Sequence, residues 1–232
     1  MLKDVKMYNY HGDFLAFQAT KGSSNIETSS VCILQCKMCF RNKSLTPKLE
    51  YNDSLKNTGV LSLINFEKFL FFNNKITLCG NYSDPVYWKN LLPALELAKE
   101  YPNTKIQINT AAHAPDLNWY KNAFDIGGNV RWVFGLDGNI DNADYYRKGQ
   151  NTKLILDAMK LGVEMSQHIT WQYIVMKYNV EVYNECKELA NSLGINFKTV
   201  FSDRTEVPLE ADDLQLVNPN PKKKLSTIVY AN

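Results

Sequence analysis

The chain has no stretch approaching the roughly 18 apolar residues of a membrane-spanning helix, so no span and no membrane partner are expected. It also lacks a dominant sign of charge. Its 26 basic and 24 acidic residues are mixed along 232 positions and leave a net charge of +2. Without a broad basic field, nucleic acid is not the expected partner. The one run of like charge, Lys222-Lys223-Lys224, follows Pro221 near the last residue and reads as a solvated tail. The first residues, MLKDVKMYNYHGDF, carry charge where a signal peptide needs an apolar core. The expected compartment is therefore the cytoplasm, where thiols stay reduced. Cysteine is scarce: an odd count of five, three of them inside eight residues, argues against a disulfide framework and for metal. Repeats, low-complexity segments and linkers rich in Gly, Pro or Ser are missing too, so one large domain, or a domain with an extension, is expected.

What the chain does have is a regular alternation. NIETSSV (25–31) leads into the cysteines as a strand. LSLINFEKFLFF (61–72) is helical and KITLCG (75–80) extended. VYWKNLLPALELAKEY (86–101) is helical, with Pro93 as a kink or part of a first turn. KIQINT (105–110) alternates as a strand, and DLNWYKNAF (116–124) suits a helix capped by Asp116. VRWVFGLDG (130–138) is a strand and turn, and NTKLILDAMKLG (151–162) a helix closed by Gly162. MSQHITWQYIVM (165–176), VEVYNECKELANSLG (180–194) and NFKTVF (196–201) complete the pattern as strand, helix and strand. Six strands with a helix after each of the first five predict parallel pairing with right-handed crossovers. The expected fold is α/β, a partial (β/α)6 TIM-like barrel of parallel strands, with a doubly wound sheet as the alternative. In such a barrel ligand sites gather at the C-terminal strand ends. Unusual polar residues fall there: Cys32 to Cys39, CGNYSDP, NTAAH and Asp137-Gly138.

Cys32, Cys36 and Cys39 are spaced C-x3-C-x2-C after the first strand. Structural zinc takes four protein ligands. A fourth would have to come from Cys79, Cys186, His11, His113 or His168, and no second knuckle exists. Cys186 lies in a helical pattern and reads as a small core residue, Cys79 as a buried thiol at a strand end, and His168 as a packed strand residue. Iron–sulfur clusters are usually held by four thiolates. Three on a four-iron cluster would leave one iron open to another ligand. Both metals remain open on spacing alone.

In this α/β context the motif resembles that of the radical S-adenosylmethionine (radical SAM) enzymes. The resemblance spans about residues 25–204 and looks like the core of the subgroup usually continued by a SPASM domain. It implies that Cys32, Cys36 and Cys39 are catalytic and metal-binding, ligating a [4Fe-4S] cluster whose open iron binds SAM. It implies reductive cleavage of SAM to a 5′-deoxyadenosyl radical that abstracts hydrogen from substrate. Met38 would pack near the adenine. LCGNYSDPVYW (78–88) resembles the glycine-rich segment in which backbone groups at Gly80 and Asn81 receive the SAM amino group, with Asp84 in the acidic position. INTAAH (108–113) is similar to a Thr-Asn-Gly stretch, with Thr110 matching and Ala111 and Ala112 in place of Asn and Gly. VFGLDG and YYRKG resemble the Ser-hydrophobic-Asp-Gly and Arg-x-Gly elements. Gly135 stands where Ser is usual, while Asp137 would shape the ribose region and Arg147 would meet a carboxylate. Gln172 and Asn179 match the fifth-strand pattern.

The same resemblance implies a peptide or protein substrate and a reductant protein such as flavodoxin or ferredoxin. Residues 1–24 are read as an N-terminal extension, with FLAFQAT (14–20) a short added strand, and residues 205–232 as a C-terminal tail. No cysteine follows Cys186 to hold auxiliary clusters. A minimal enzyme, a chain cut before an auxiliary-cluster region and a core completed by a partner all fit that pattern. Two other classes stand beside the enzyme: an iron–sulfur electron carrier or sensor, and a zinc-stabilised binding module.

Overall fold

The structure is a computed structural model that describes residues 8–9, 15–20, 22–39, 60–79, 83–200 and 209–217. Strands β1 (Tyr8–Asn9) and β2 (Leu15–Thr20) pair antiparallel and lead into β3 (Ser23–Glu27). The cysteine loop follows, with a two-residue strand β4 (Gln35–Cys36). Helix α1 (Leu63–Phe72) begins where the Ser62 hydroxyl accepts from the Asn65 N–H, a cap that satisfies one of the orphan donors of a first turn. After β5 (Lys75–Leu78) comes a 3₁₀ turn over Pro85–Tyr87 and then α2 (Leu91–Ala98). Pro93 falls in the first turn of α2, where its missing N–H leaves no helical bond unmade.

The rhythm continues with β6 (Lys105–Thr110), α3 (Leu117–Ile126) and β7 (Val130–Gly135). Asp116 caps α3 by accepting from the Trp119 N–H, as its sequence position predicts. A short helix α4 (Ala143–Tyr146) runs into a two-residue strand β8 (Arg147–Lys148). Then come α5 (Thr152–Glu164), β9 (His168–Ile174), α6 (Tyr183–Ser192) and β10 (Asn196–Val200). A final 3₁₀ segment spans Leu209–Leu214.

The main sheet has the order β1-β2-β3-β5-β6-β7-β9-β10, and the six strands from β3 onward are parallel. Each crossover moves one step in the same direction. Right-handed connections of that kind put every helix on one face, which removes the doubly wound alternative. Neither edge strand pairs with the other, so the sheet is an open, partial barrel.

Alternation along the strands sorts the two faces. The helix-covered face carries the apolar set. Trp132 packs edge-on against Tyr120 and Phe124 of α3 at ring-centroid distances of 6.5 and 5.3 Å. Trp171 and Tyr173 meet Phe197, at 5.5 and 5.6 Å. The opposite face is polar: Asn25, Thr77, Gln107, Arg131 and His168 lie on one registered rung across five strands. His168 is exposed there, contrary to its reading as a packed residue. Among the described residues no helix is long and apolar enough to cross a membrane.

Gly162 differs from the expectation that it ends its helix. Helix α5 continues to Glu164, and the turn falls at Ser166, whose φ is 58°. Gly162 is instead where α5 touches β9, since a Cβ there would overlap the Ile169 side chain and press on Phe124. Gly162→Val is expected to cost ~1–3 kcal/mol by overpacking, read as a Tm lowered by several degrees in a thermal melt. An unchanged melting curve would show that the α5–β9 contact is loose.

Candidate functional site

The cysteine loop leaves β3 at Thr28 and returns across the C-terminal edge of the sheet. It is anchored at two points. Strand β4 pairs antiparallel with β8, setting Gln35 opposite Lys148 and Cys36 opposite Arg147. The Lys37 N–H adds a bond to Tyr146 O at 3.0 Å, and the Asp84 N–H donates to Val31 O at 2.9 Å. Within the loop the Cys39 N–H donates to Cys36 O at 3.1 Å. Cys32, Cys36 and Cys39 are half-buried, and all five cysteines are thiols rather than disulfide halves. Burial pushes the Cys36 thiol above its ordinary range, and the adjacent Arg147 guanidinium pulls it back. Among the described residues, no three His, Cys, Asp or Glu side chains converge as ligands of a single metal ion.

Arg147 owes its position to Asp137. The Arg147 Nε–H donates to Asp137 Oδ2 at 2.8 Å, with the carboxylate fully buried and the arginine side chain 13% exposed. The other carboxylate oxygen accepts from the Ile174 N–H at 2.7 Å. The Asp137 carbonyl accepts from the Tyr178 hydroxyl at 2.5 Å and from Asn179 Nδ2 at 3.1 Å. Burial raises the Asp137 carboxyl, while Arg147 and the Ile174 N–H favour its charged form. The glycine at 135 now has a steric explanation. A Cβ at that position would lie 3.0 Å from Arg147 Nη2 and 3.3 Å from its Cζ, so the guanidinium fills the space a serine side chain would take.

A second carboxylate binds protein, not solvent. Asp84 is 4% exposed. Its oxygens accept from Thr110 Oγ1 at 2.6 Å, the Ala111 and Ala112 N–H groups at 2.8 Å each, and the Val86 N–H at 3.2 Å. It thus caps the 3₁₀ turn after β5 and fastens the end of β6 to it. Thr110, the other half of that latch, also donates to Ala112 O at 3.0 Å. The resemblance places Asp84 and Thr110 beside a cofactor; in the structure the two side chains bond to each other and to the backbone of Val86, Ala111 and Ala112. Gly80 and Asn81 lie outside the described residues.

Met38 is buried with Tyr146, Met176 and Leu214 in a small apolar cluster separate from the main core. Gln172 is half-buried on the helix-free face, opposite Gly135 in register. Cys186 is buried in α6 as a core residue. Cys79 directs its thiol toward Ile26 O at 3.7 Å, and burial followed by Glu27 pushes its pKa up.

Three residues escaped the sequence reading. Glu27 is buried at the end of β3 and accepts from the Ser83 N–H at 2.6 Å and its hydroxyl at 2.5 Å. Tyr178 holds the Asp137 carbonyl from a 3₁₀ turn at Lys177–Asn179. Gln150 bridges the ends of β6 and β7, donating from Nε2 to Ala111 O at 2.6 Å and Gly135 O at 2.9 Å. The available signal was an acid ending a strand for Glu27 and adjacency to YYRKG for Gln150.

Breaking the buried pair should be costly. Arg147→Ala is expected to lose ~3–5 kcal/mol, because it leaves the Asp137 charge buried and uncompensated. The double variant Arg147→Met with Asp137→Leu should recover part of that loss, since no lone charge remains. Denaturant unfolding of the three proteins tests this; equal stability of Arg147→Ala and the unaltered protein would mean the pair is solvated.

No protein-family model matches the chain, and no curated protein does. Solved structures do match. SuiB of Streptococcus suis bound to S-adenosylmethionine has a TM-score of 0.65 at 16% identity, covering 88% of this chain and 45% of that one. SuiB bound to precursor peptide SuiA gives a TM-score of 0.64 at 15% identity, covering 88% and 43%. Native anSMEcpe with bound AdoMet gives 0.57 at 16% identity, covering 76% and 51%. The chain therefore spans about half the length of these proteins or less. At such identities the likeness shows the fold: this chain shares the partial α/β barrel of SuiB and anSMEcpe.

Proposed function

We propose that the protein is a radical SAM enzyme that acts on a peptide or protein substrate. The observation that carries this reading is the seating of Cys36. It is paired in register with Arg147, beside a guanidinium that is itself held by the buried Asp137, at the strand edge where the parallel sheet gathers its loops. The donor set fits a [4Fe-4S] cluster. Three thiols share one short loop, a cation stands next to one of them, and three thiolates on a four-iron cluster leave one iron open. Cys32, Cys36 and Cys39 would be the ligands, leaving one iron for SAM. When bound, the cluster supplies an electron that cleaves SAM to methionine and a 5′-deoxyadenosyl radical, which takes hydrogen from the substrate.

The chain's own residues supply position and exclusion of water. Arg147 presents a planar cation suited to a carboxylate. The Asp84 latch holds the strand ends of β5 and β6 in fixed relation. Met38, Tyr146, Met176 and Leu214 close an apolar backing behind the cysteine loop. A peptide substrate is supported by two fold relatives, SuiB bound to precursor peptide SuiA and anSMEcpe with bound AdoMet and Cp18Cys peptide. The reductant would be a small electron-transfer protein of the flavodoxin or ferredoxin kind.

Anaerobic reconstitution with iron and sulfide, followed by dithionite and SAM, tests the reading. The expected result is bound iron and sulfide in equal amounts, with 5′-deoxyadenosine detected by chromatography. Cys36→Ala should lose both the cluster absorbance and the product. Unchanged iron in Cys36→Ala, or zinc bound in place of iron, would overturn the assignment. A loaded cluster that yields no 5′-deoxyadenosine would favour an electron carrier.

A further inference from the structure

Cys36 and Arg147 face each other across the short ladder of β4 and β8. The bonds around them define the kind of pair they form. The Lys37 N–H donates to Tyr146 O at 3.0 Å, so the hydrogen-bonded position is Lys37 with Tyr146, one step along. Cys36 and Arg147 therefore occupy the neighbouring non-hydrogen-bonded position. There the opposed Cα atoms of an antiparallel pair approach to about 4.5 Å, and both side chains leave the ribbon on the same face.

What surrounds the arginine then aims its side chain. Nε is taken by Asp137 Oδ2, the Tyr146 ring centroid lies 5.4 Å from Cζ, and the missing side chain at Gly135 makes room for Nη2. A guanidinium carries five N–H groups in a rigid fork, so binding Asp137 leaves donors to spare. The guanidinium hydrogen-bonds the Cys36 side chain as well. Charge on that sulfur feels the Arg147 cation more strongly than the Asp137 carboxylate. A fixed chain thus runs from the Ile174 N–H through Asp137 and Arg147 to Cys36. Groups that touch the ligands of a metal tune the metal. For iron–sulfur clusters, net charge and hydrogen bonds to the sulfurs are among the determinants of reduction potential. Reduction adds negative charge at the sulfurs, so an N–H donor on a cation favours the reduced form.

We propose that Arg147 is a positioning residue that acts through Cys36: its guanidinium donates to Cys36 Sγ and raises the reduction potential of a [4Fe-4S] cluster held by the three thiolates. Asp137 fixes the fork in that orientation and keeps the pair neutral, so the effect on the sulfur is local rather than a change of net charge. The proposal rests on the cluster assignment within the radical SAM reading. The electron comes from the external reductant, which is dithionite in the test.

Potentiometric titration of the reconstituted protein with dithionite tests it, with no SAM added and the reduced cluster followed by electron paramagnetic resonance. Two variants leave the net charge of the pair unchanged. Arg147→Met with Asp137→Leu removes both charges together. Arg147→Lys keeps the cation but has a single nitrogen in place of the fork. The buried Asp137 charge holds that ammonium, which cannot then also serve Cys36. Both variants are expected to shift the one-electron equilibrium about tenfold toward the oxidised cluster, roughly 60 mV to more negative potential. That is the lower end for a hydrogen bond to a charged group. Thermal melts run beside the titrations, because a merely structural arginine would lower the Tm of the variants and leave the potential where it is. A loaded variant with the potential of the unaltered protein overturns the proposal and leaves the radical SAM reading intact. Where the double variant folds too poorly to load, Arg147→Lys decides alone. An unaltered protein that takes up no four-iron cluster overturns both.

Discussion

The contact on which the site depends is the ion pair of Asp137 with Arg147, a carboxylate with no exposed surface against a guanidinium that is nearly enclosed. A buried charge is tolerable only when paired and hydrogen-bonded, and here every partner is in place. The Ile174 N–H fills the second carboxylate oxygen, while Tyr178 and Asn179 hold the carbonyl of the same residue. One residue, through its side chain and its carbonyl, thereby joins the ends of β7 and β9 to the turn that precedes α6. Arg147, so held, becomes the fixed rail against which Cys36 pairs. The absence of a side chain at Gly135 belongs to the same arrangement, because the guanidinium occupies that volume.

Asp84 performs a parallel task one strand away. Four donors from two segments converge on its carboxylate, so the turn after β5 and the end of β6 behave as one unit. The two acids differ in what they stabilise. Asp137 positions a cation that remains partly accessible, whereas Asp84 is consumed by the backbone it organises.

The layers of the fold were legible because burial on one face imposes a period of two on strands and near 3.6 on helices. That pattern survives in KIQINT and in VEVYNECKELANSLG without knowledge of any neighbour. Residues whose meaning comes from a partner far along the chain were less legible. Gly162 looks like a helix terminator until Ile169 is seen pressing on it. Asp84 sits where a cofactor contact is expected, yet the acceptor capacity of its carboxylate goes to Thr110 and two N–H groups that sequence cannot bring near. Gln150 is one amide in a polar loop, and only the two carbonyls in front of it reveal which way it faces. The cysteine triplet was readable because all three members lie on one short loop.

The small apolar cluster around Met38 bears on the order in which the protein is made. Its members are Met38, Tyr146, Met176 and Leu214, so the cysteine loop borrows its backing from segments emerging much later in synthesis. The final 3₁₀ segment is tied down by Lys177 with Asp212 at 2.8 Å and by the Val217 N–H on Val175 O at 3.1 Å. Because an emerging chain can close such distant contacts only once both ends exist, the loop carrying the three thiols leaves the ribosome well before its support is available. The apolar backing of the thiol loop is thus complete only once the segments carrying Met176 and Leu214 have been added behind it.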